Sequence, residues 1–333
     1  MIKVLHITNA YPYKDVPEYG VFVKEQIASL PIDRISNSIV FINGRENGKK
    51  AYLMAIKEIR SLIKGVDVVH CHHAYSFLVA MLAGVVGKKP IVLSFLNDWT
   101  YEVKDLPSER LKTLICQLCV KLSSRIIFKS PVPAALKDSP KVVNLPNGVD
   151  SEFFIPQDKN AARTSLNLDL TAKYLLFVSS KNQYREQKRY DVFAKVLKRV
   201  QELKPHLKIA EFVMVGQPRH LIPSIFSACD VHVLTSDYEG SPNSVKESLS
   251  CGTPVVSRDV GNVQEMLDGV AGTIVVGKDE NVEQLAQAVV QTLDTYIESQ
   301  KIRTSFLEKG ITKELIAEKL YEMYSDLALG NNK

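Results

Sequence analysis

Asp230-Val231-His232-Val233-Leu234-Thr235-Ser236-Asp237-Tyr238-Glu239-Gly240-Ser241-Pro242-Asn243-Ser244-Val245-Lys246-Glu247-Ser248-Leu249-Ser250-Cys251-Gly252-Thr253-Pro254-Val255-Val256 is the stretch on which the fold turns. A β-branched apolar run, a polar loop, a helical stretch, a Gly-Thr-Pro turn and a second β-branched run follow one another. The segment therefore parses as strand, loop, helix, turn, strand. Ser241 is suited to cap the helix, Pro242 to its first turn and Gly252 to its end. A helix that begins just past the carboxyl end of a strand presents free N–H groups and the positive end of its dipole, which together make a ready anion site.

The same alternation extends in both directions. Strands are expected at 4–8, 38–42, 66–71, 91–95, 125–128 and 142–145, with helices near 19–30, 51–63, 76–86 and 108–122. Pro146-Asn147-Gly148-Val149-Asp150, Pro156 and a polar stretch to Leu168 have the chemistry of a loop and linker. A second series follows, with strands at 174–179, 209–215, 231–234, 255–257 and 273–276, then helices near 282–297 and 313–327. Short strands alternating with longer amphipathic stretches predict an α/β protein made of two doubly wound parallel-sheet modules. The chain of 333 residues is about the length of two domains of ~150 residues. In that architecture ligands lie outside the carboxyl ends of the strands, so the loops after strands are where chemistry is sought.

Composition narrows the choice. With 45% hydrophobic and 24% charged residues the chain is ordinary globular material, and no apolar run approaches the ~20 residues of a membrane span. The start, Met1 to Ile7, lacks a signal-peptide apolar region, and a cytoplasmic protein is expected. Five scattered cysteines predict reduced thiols, and Cys116-x-x-Cys119 falls inside a helical stripe of leucines, which makes it core. Residues 1–150 hold 20 Lys+Arg against 13 Asp+Glu, a balance of +7, which leaves −2 for the remainder. Lys49, Lys50, Lys57, Arg60 and Lys64 suggest a basic face suited to anionic headgroups, an anionic acceptor or nucleic acid, or else a solvated helix surface.

Several chemistries are missing. No G-x-x-x-x-G-K-[ST] and no G-x-G-x-x-G after a strand occur, which removes P-loop ATPases and simple dehydrogenases. No Asp-x-Asp pair is present to hold a divalent ion against a diphosphate, so any diphosphate is expected to be handled without a protein-bound metal. In His70-x-His72-His73, residues two apart on a strand share a face. That leaves open a ligand pair lacking further ligands, a polar site shaping a substrate pocket, or packing; His6, His206, His220 and His232 fall in no recognisable ligand arrangement.

Glu239 lies in the loop and Glu247 about one turn inside the helix, so at ~1.5 Å rise per residue the two carboxylates bracket the helix start. A nucleotide sugar with its diphosphate on that terminus would have its sugar over Glu239 and its ribose beside Glu247. Ser244 with Glu247 also fits a capping box, which would explain Glu247 by itself.

The run Glu239-Gly240-Ser241-Pro242-Asn243-Ser244-x-x-Glu247 resembles the E-x7-E signature of retaining glycosyltransferases of family 4, which have the GT-B fold. Tyr19-Gly20-Val21-Phe22-Val23-Lys24-Glu25-Gln26, Val69-His70-Cys71-His72, Ser94-Phe95-Leu96-Asn97-Asp98, Pro146-Asn147-Gly148-Val149-Asp150 and Arg185-x-x-Lys188-Arg189 extend the likeness over most of the chain. It is nearest to bacterial teichuronic-acid and capsule-type polysaccharide transferases. The resemblance implies an acceptor domain at residues 1–152, a donor domain at 153–304, and a C-terminal helix at 305–333 with the option of crossing back onto the first. It implies front-face sugar transfer with retention, from a nucleoside diphosphate sugar, UDP-linked by preference, to a lipid-linked or saccharide acceptor in cell-surface polysaccharide synthesis. Neither metal nor nucleic acid is implied, and a peripheral encounter with the inner membrane face fits the basic half. On this likeness Arg185 and Lys188 bind the diphosphate; Gly20, Gly216, Gly240, Ser241, Pro242, Asn243, Ser244 and Glu247 line the donor site. Gly261-Asn262-Val263-Gln264-Glu265 forms a further donor-side turn, or simply a capping box. Glu239, Lys188, Arg185, His72 and Asp98 are the catalytic candidates, with Arg189 left on the surface. Leu96-Asn97-Asp98 stands where many relatives carry a histidine. A sugar-nucleotide epimerase or hydrolase of the same fold, or a non-catalytic nucleotide-sugar-binding partner, are the alternatives.

Overall fold

The computed structural model describes residues 1–14, 16, 19–96, 103, 106–179, 184–278 and 281–330. The chain divides into two units, one formed by Met1–Gly148 with Lys313–Lys333 and the other by Val149–Thr312. The division after Gly148 lies four residues ahead of the expected boundary, and a second one falls at Thr312, where Val149 N–H donates to the Ile311 carbonyl at 3.0 Å within the second unit.

The first unit holds a six-stranded sheet in the order β2-β1-β3-β4-β5-β6. Its strands are β1 (Ile2–Thr8), β2 (Ile35–Phe41), β3 (Val68–His72), β4 (Ile91–Phe95), β5 (Arg125–Phe128) and β6 (Val142–Asn144), every neighbour parallel. The helices are α1 (Val21–Ala28), α2 (Gly44–Leu62), α3 (Ala74–Leu82), α4 (Glu109–Leu122) and, from the far end of the chain, α12 (Lys313–Ala328). Alternate strand residues explain why both faces are buried. Leu5, Ile7, Val69, Cys71, Leu93 and Phe95 pack with Ala51, Ala55 and Ile59 of α2, Phe77 of α3, and Cys116 and Cys119 of α4. Val4, Val68, Val92 and Ile127 point the other way, onto Ile316, Ala317, Leu320, Tyr324 and Leu327 of α12.

The second unit has the order β11-β10-β9-β7-β8, again all parallel. These strands are β7 (Lys173–Ser179), β8 (Ile209–Val215), β9 (Val231–Leu234), β10 (Val255–Arg258) and β11 (Thr273–Val276). One face carries α6 (Tyr190–Leu203) and α10 (Val282–Asp294) over Leu175, Phe177, Val231 and Val233. The other carries α7 (Ile222–Ala228), α8 (Asn243–Ser250), α9 (Val263–Leu267) and α11 (Ser299–Leu307) over Leu176, Leu234 and Val255, and α5 (Lys159–Ser165) packs on α7. The two α/β sheets are thus as the alternation predicted.

Two differences from the sequence reading have local causes. Helix α2 begins at Gly44, ahead of the expected 51, because Asn43 Oδ1 accepts from Glu46 N–H at 3.2 Å and its amide donates to the Glu46 carboxylate at 2.8 Å. A break at Gly48 (φ 53°) hides that first turn from the apolar periodicity. The stretch 305–333 is not one helix: α11 ends at Leu307 in the second unit, and α12 starts at Lys313 in the first. All five cysteines are buried free thiols. Among the described residues, no helix is long and apolar enough to cross a membrane.

A buried ionic node holds the start of β9. The Asp230 carboxylate, side chain 6% exposed, accepts from Arg163 Nη2 at 2.6 Å and from the β7 backbone N–H of Tyr174 at 2.8 Å, with Lys159 Nζ at 3.0 Å. Arg163 further donates to the Ala228 and Leu170 carbonyls, so every edge of this guanidinium has a partner that compensates its lost hydration.

Candidate functional site

In the second unit the loops after β7 and β9 lie side by side because those strands are neighbours. The turn 185–189 and the loop 235–242 are sewn together by backbone and side chain. Asp237 N–H donates to the Gln187 carbonyl (2.9 Å), Gln187 Nε2 donates to the Tyr238 carbonyl (2.7 Å), and Thr235 Oγ1 donates to the Lys188 carbonyl (2.9 Å). Lys188 Nζ consequently meets Glu239 Oε1 at 2.6 Å, both side chains 12% exposed. Ser236 Oγ donates to the same oxygen at 2.7 Å. A lysine and a glutamate 51 positions apart thus form one ion pair beside the start of α8.

Arg185 sits at the head of a short 3-10 turn, three residues ahead of Lys188, exposed and with its guanidinium on Gln187 Oε1 at 2.6 Å. Arg189, expected on the surface, is instead a fastening. It adopts left-handed φ of 54° at the cap of α6, and its guanidinium bonds Asp191 and Asp237, each at 2.9 Å. Arg258 of β10, 7% exposed, takes the same Asp237 at 2.8 Å and donates to the Thr235 carbonyl.

The capping expectations around α8 and α9 are corrected. Helix α8 begins at Asn243 with Pro242 as its cap residue, and no side chain caps it; the Ser241 hydroxyl accepts from the buried Lys246 Nζ at 3.1 Å. Ser244 lies inside the helix, so no Ser244–Glu247 capping box forms. Glu247 turns to Arg219 Nη1 at 3.1 Å, and that guanidinium stacks 4.9 Å over Phe154. Burial raises the Glu247 carboxyl above its ordinary range, against the opposing pull of Arg219. Asn262 is likewise not a side-chain cap for α9. Its backbone N–H donates to the Gly240 carbonyl at 3.1 Å. Gly261 (φ 59°) is required there, since a Cβ would stand 2.3 Å from the Gly240 carbonyl oxygen. Gly216 (φ 59°) follows β8, and among the described residues nothing lies within 4 Å of where a Cβ would stand.

Lys246, Arg219, Arg258, Ser236 and Asp237 escaped the sequence reading. Of these only Lys246 carried a signal, being a cation on the apolar face of α8 between Val245 and Leu249 in the core. Burial lowers its ammonium from 10.5 to about 7. Between those two pH values the unfolded chain keeps a proton that the folded one releases, so this group makes stability rise as pH climbs from about 7 to 10.5. Lys246→Met is expected to raise the melting temperature most at or below pH 7 and to flatten that rise, while freeing Ser241 and raising the donor KM several-fold. Melting curves from pH 6 to 10 and donor titrations check both halves; an unchanged pH slope would contradict the first.

In the first unit, Gly20 caps α1 at φ 68°, and a Cβ would lie 2.2 Å from the Ala10 carbonyl carbon, so the β1–α1 turn by itself demands glycine. His6, which the sequence left unassigned, joins His70 and His72 because β1 pairs with β3. His6 Nδ1 lies 3.0 Å from His72 Nε2, and His6 Nε2 lies 3.0 Å from Asn37 Oδ1. The amide oxygen fixes the proton on His6 Nε2, so His72 Nε2–H donates to His6 Nδ1. His70 is held between the Tyr324 hydroxyl (2.6 Å) and Ser94 Oγ (2.7 Å). Burial drives all three imidazoles down, His6 to about 4, and for His70 and His72 the Lys129 charge adds to it. Ring nitrogens of the three lie within 4.8 Å of one another, a spacing open to a metal ion. The hydrogen bonds already made and the buried lysine cation fit neutral hydrogen-bonded rings better than a dication. His72 Nδ1 has no hydrogen-bond partner among the described residues. His73 caps α3 through its ring. Asp98 lies outside the described residues.

Residues 16–153 match the family model described as Glycosyltransferase Family 4, and residues 218–295 match that described as Glycosyl transferases group 1. Among curated proteins, a D-inositol 3-phosphate glycosyltransferase of Stackebrandtia nassauensis is 27% identical over 258 residues, 64% of this chain and 58% of that protein. Its namesake from Mycobacterium marinum is 28% identical over 259 residues, 67% and 54% of the two chains. The chain thus spans little more than half the length of these relatives. Among solved structures, sucrose-phosphate synthase from Thermosynechococcus elongatus superposes with a TM-score of 0.75 at 15% identity, covering 99% of this chain and 100% of that one. Anabaena HepE in complex with UDP superposes at 0.70 and 14% identity, covering 98% and 100%. These neighbours establish the GT-B fold.

Proposed function

We propose that this chain, which matches the models described as Glycosyltransferase Family 4 and Glycosyl transferases group 1 over parts of its length, transfers a sugar from a nucleoside diphosphate donor with retention and without a bound metal. One observation carries the reading: the Lys188–Glu239 pair, mostly buried yet at the rim of the sheet, set beside the start of α8. In this reading the donor diphosphate draws the Lys188 ammonium and the α8 N–H groups toward its leaving oxygens, with Arg185 as a second cation. Glu239, released from the lysine but still held by Ser236, accepts from hydroxyls of the sugar. Glu247, fixed by Arg219, accepts from the ribose. The acceptor hydroxyl attacks the anomeric carbon from the face the diphosphate leaves, and its proton passes to a phosphate oxygen as the carbon–oxygen bond breaks, so the protein supplies no nucleophile. What it supplies is orientation and charge stabilisation.

The preference for a UDP sugar is supported by neighbours of the same fold solved with UDP and with UDP-glucose. A lipid-linked or saccharide acceptor in surface polysaccharide synthesis, as in the teichuronic-acid and capsule-type enzymes, and a peripheral place at a membrane belong to the same proposal. His72, with its open Nδ1, and Asp98 are proposed to serve the acceptor side. The test is release of nucleoside diphosphate from a panel of UDP and GDP sugars with EDTA present, with polyprenyl-linked and soluble saccharide acceptors, and proton NMR of the product linkage. Acceptor-dependent release with an α-product from an α-donor supports the reading. Acceptor-independent turnover, inversion, or activity abolished by EDTA overturns it.

A further inference from the structure

We propose that the outward face of α2, with the end of α3, is a docking surface for an anionic lipid bilayer. Beyond the break at Gly48, the helix buries Ala51, Ala55 and Ile59, which lie four residues apart, against the sheet. The opposite line runs Lys49, Leu53, Lys57 and Arg60 and continues to Lys64 in the 3-10 turn Ile63–Gly65. The spacings of four, four, three and four are those of one helical stripe, and Lys50 and Met54 stand beside it. Leu53 and Met54 are each 65% exposed, an unusual degree for large apolar side chains on a helix that has a core available on its other face. Arg60 Nη2 donates to the Leu82 carbonyl at 3.0 Å, which brings Leu82, itself 60% exposed at the end of α3, alongside the stripe. Between residues 49 and 64 there are five cations and one carboxylate, Glu58.

Charge alone would suit nucleic acid, a polyanionic acceptor or a membrane. The apolar residues decide among them. A phosphate backbone or a soluble polyanion offers nothing to Leu53, Met54 and Leu82. A bilayer interface takes both kinds of side chain, the leucines and methionine entering the boundary between headgroups and acyl chains while the lysine stems lie along it with their ammonium groups at the anionic phosphates. The surface deepens the proposed use of a lipid-linked acceptor and rests on that reading for its purpose, while its chemistry stands without it.

The experiment is co-sedimentation of the full chain with vesicles of phosphatidylcholine alone or mixed equally with phosphatidylglycerol, at 0.1 and 0.5 M salt, without nucleotide or sugar. The wild type is expected to bind the anionic vesicles and to lose most of that binding at high salt. Each cation near such a surface is worth about fivefold in partitioning, so Lys49→Glu/Lys57→Glu/Lys64→Glu is expected to bind at least a hundredfold less. Leu53→Ser/Met54→Ser is expected to bind about tenfold less with the salt dependence kept. All five positions are solvent-facing, so turnover on a water-soluble acceptor should be unchanged in both variants, which separates failure of this surface from failure of the transferase reading. No binding by the wild type, or equal binding by the charge-reversal variant, overturns the proposal. Undiminished binding by the serine variant overturns it in favour of charge-only adsorption in which Leu53 and Met54 take no part.

Discussion

Glu239→Gln and Lys188→Met are each expected to lower kcat by about a hundredfold to a thousandfold, the range seen when one preorganised electrostatic group is removed from a transition state. Glu239→Gln should leave the melting curve close to that of the wild type, and Lys188→Met should lower it by less than the change at Asp230. Glutamine keeps the shape of glutamate and can still bond Ser236 and Lys188, so its effect isolates the lost charge. In Lys188→Met the carboxylate is left 12% exposed with the Ser236 hydroxyl still on it, which limits the cost to folding. Turnover of the donor measured beside a thermal melt checks both. Near wild-type turnover in the two variants would remove the pair from the site.

The largest effect on stability is expected at Asp230, whose side chain touches no candidate site group. Asp230→Ala removes the carboxylate that, among the described residues, neutralises Arg163, 5% exposed, and leaves Lys159 and Lys173 facing the same spot. Stranding a buried charge costs about 3–5 kcal/mol. The loss falls where β9 begins, and β9 carries the 235–242 loop, so the variant should show lower stability in urea with a nearly unchanged slope. A loss below about 1 kcal/mol would mean that the node relaxes or takes up water. Replacing Arg163 and Asp230 together by apolar residues of similar volume should recover much of the loss, because the cost lies in the unpaired charge and not in the absence of the pair.

The fold was legible because parallel sheets covered on both faces require nearly continuous apolar strands, and Ile91–Phe95, Arg125–Phe128, Ile209–Val215, Val231–Leu234 and Thr273–Val276 are copied in the structure with the bounds the sequence suggested. Strand ends such as Ile35 and helix starts such as Gly44 were less legible, since there a cap or a glycine break outweighs periodicity. For the site, the spacing of Glu239 and Glu247 around a helix start followed from local pattern. What they bond did not. The Arg219–Glu247 pair joins residues 28 apart and the Lys188–Glu239 pair residues 51 apart, contacts decided by the strand order β9-β7-β8. The capping-box reading of Glu247 failed because α8 starts at Asn243, which puts Ser244 inside the helix, and the Glu247 carboxylate meets the Arg219 guanidinium instead. His6 was invisible for want of one fact, that β1 lies against β3 in a register placing His6 opposite His70.

Donor binding is expected to rest on a metal-independent diphosphate site at the Lys188–Glu239 pair. Isothermal titration of UDP and UDP sugars in EDTA, into the wild type and Lys188→Met, tests it most directly. Saturable binding of a nucleoside diphosphate by the wild type, weakened tenfold or more in the variant, is the predicted result. Binding of equal strength in the two proteins, or binding restored only by added divalent metal, would contradict it.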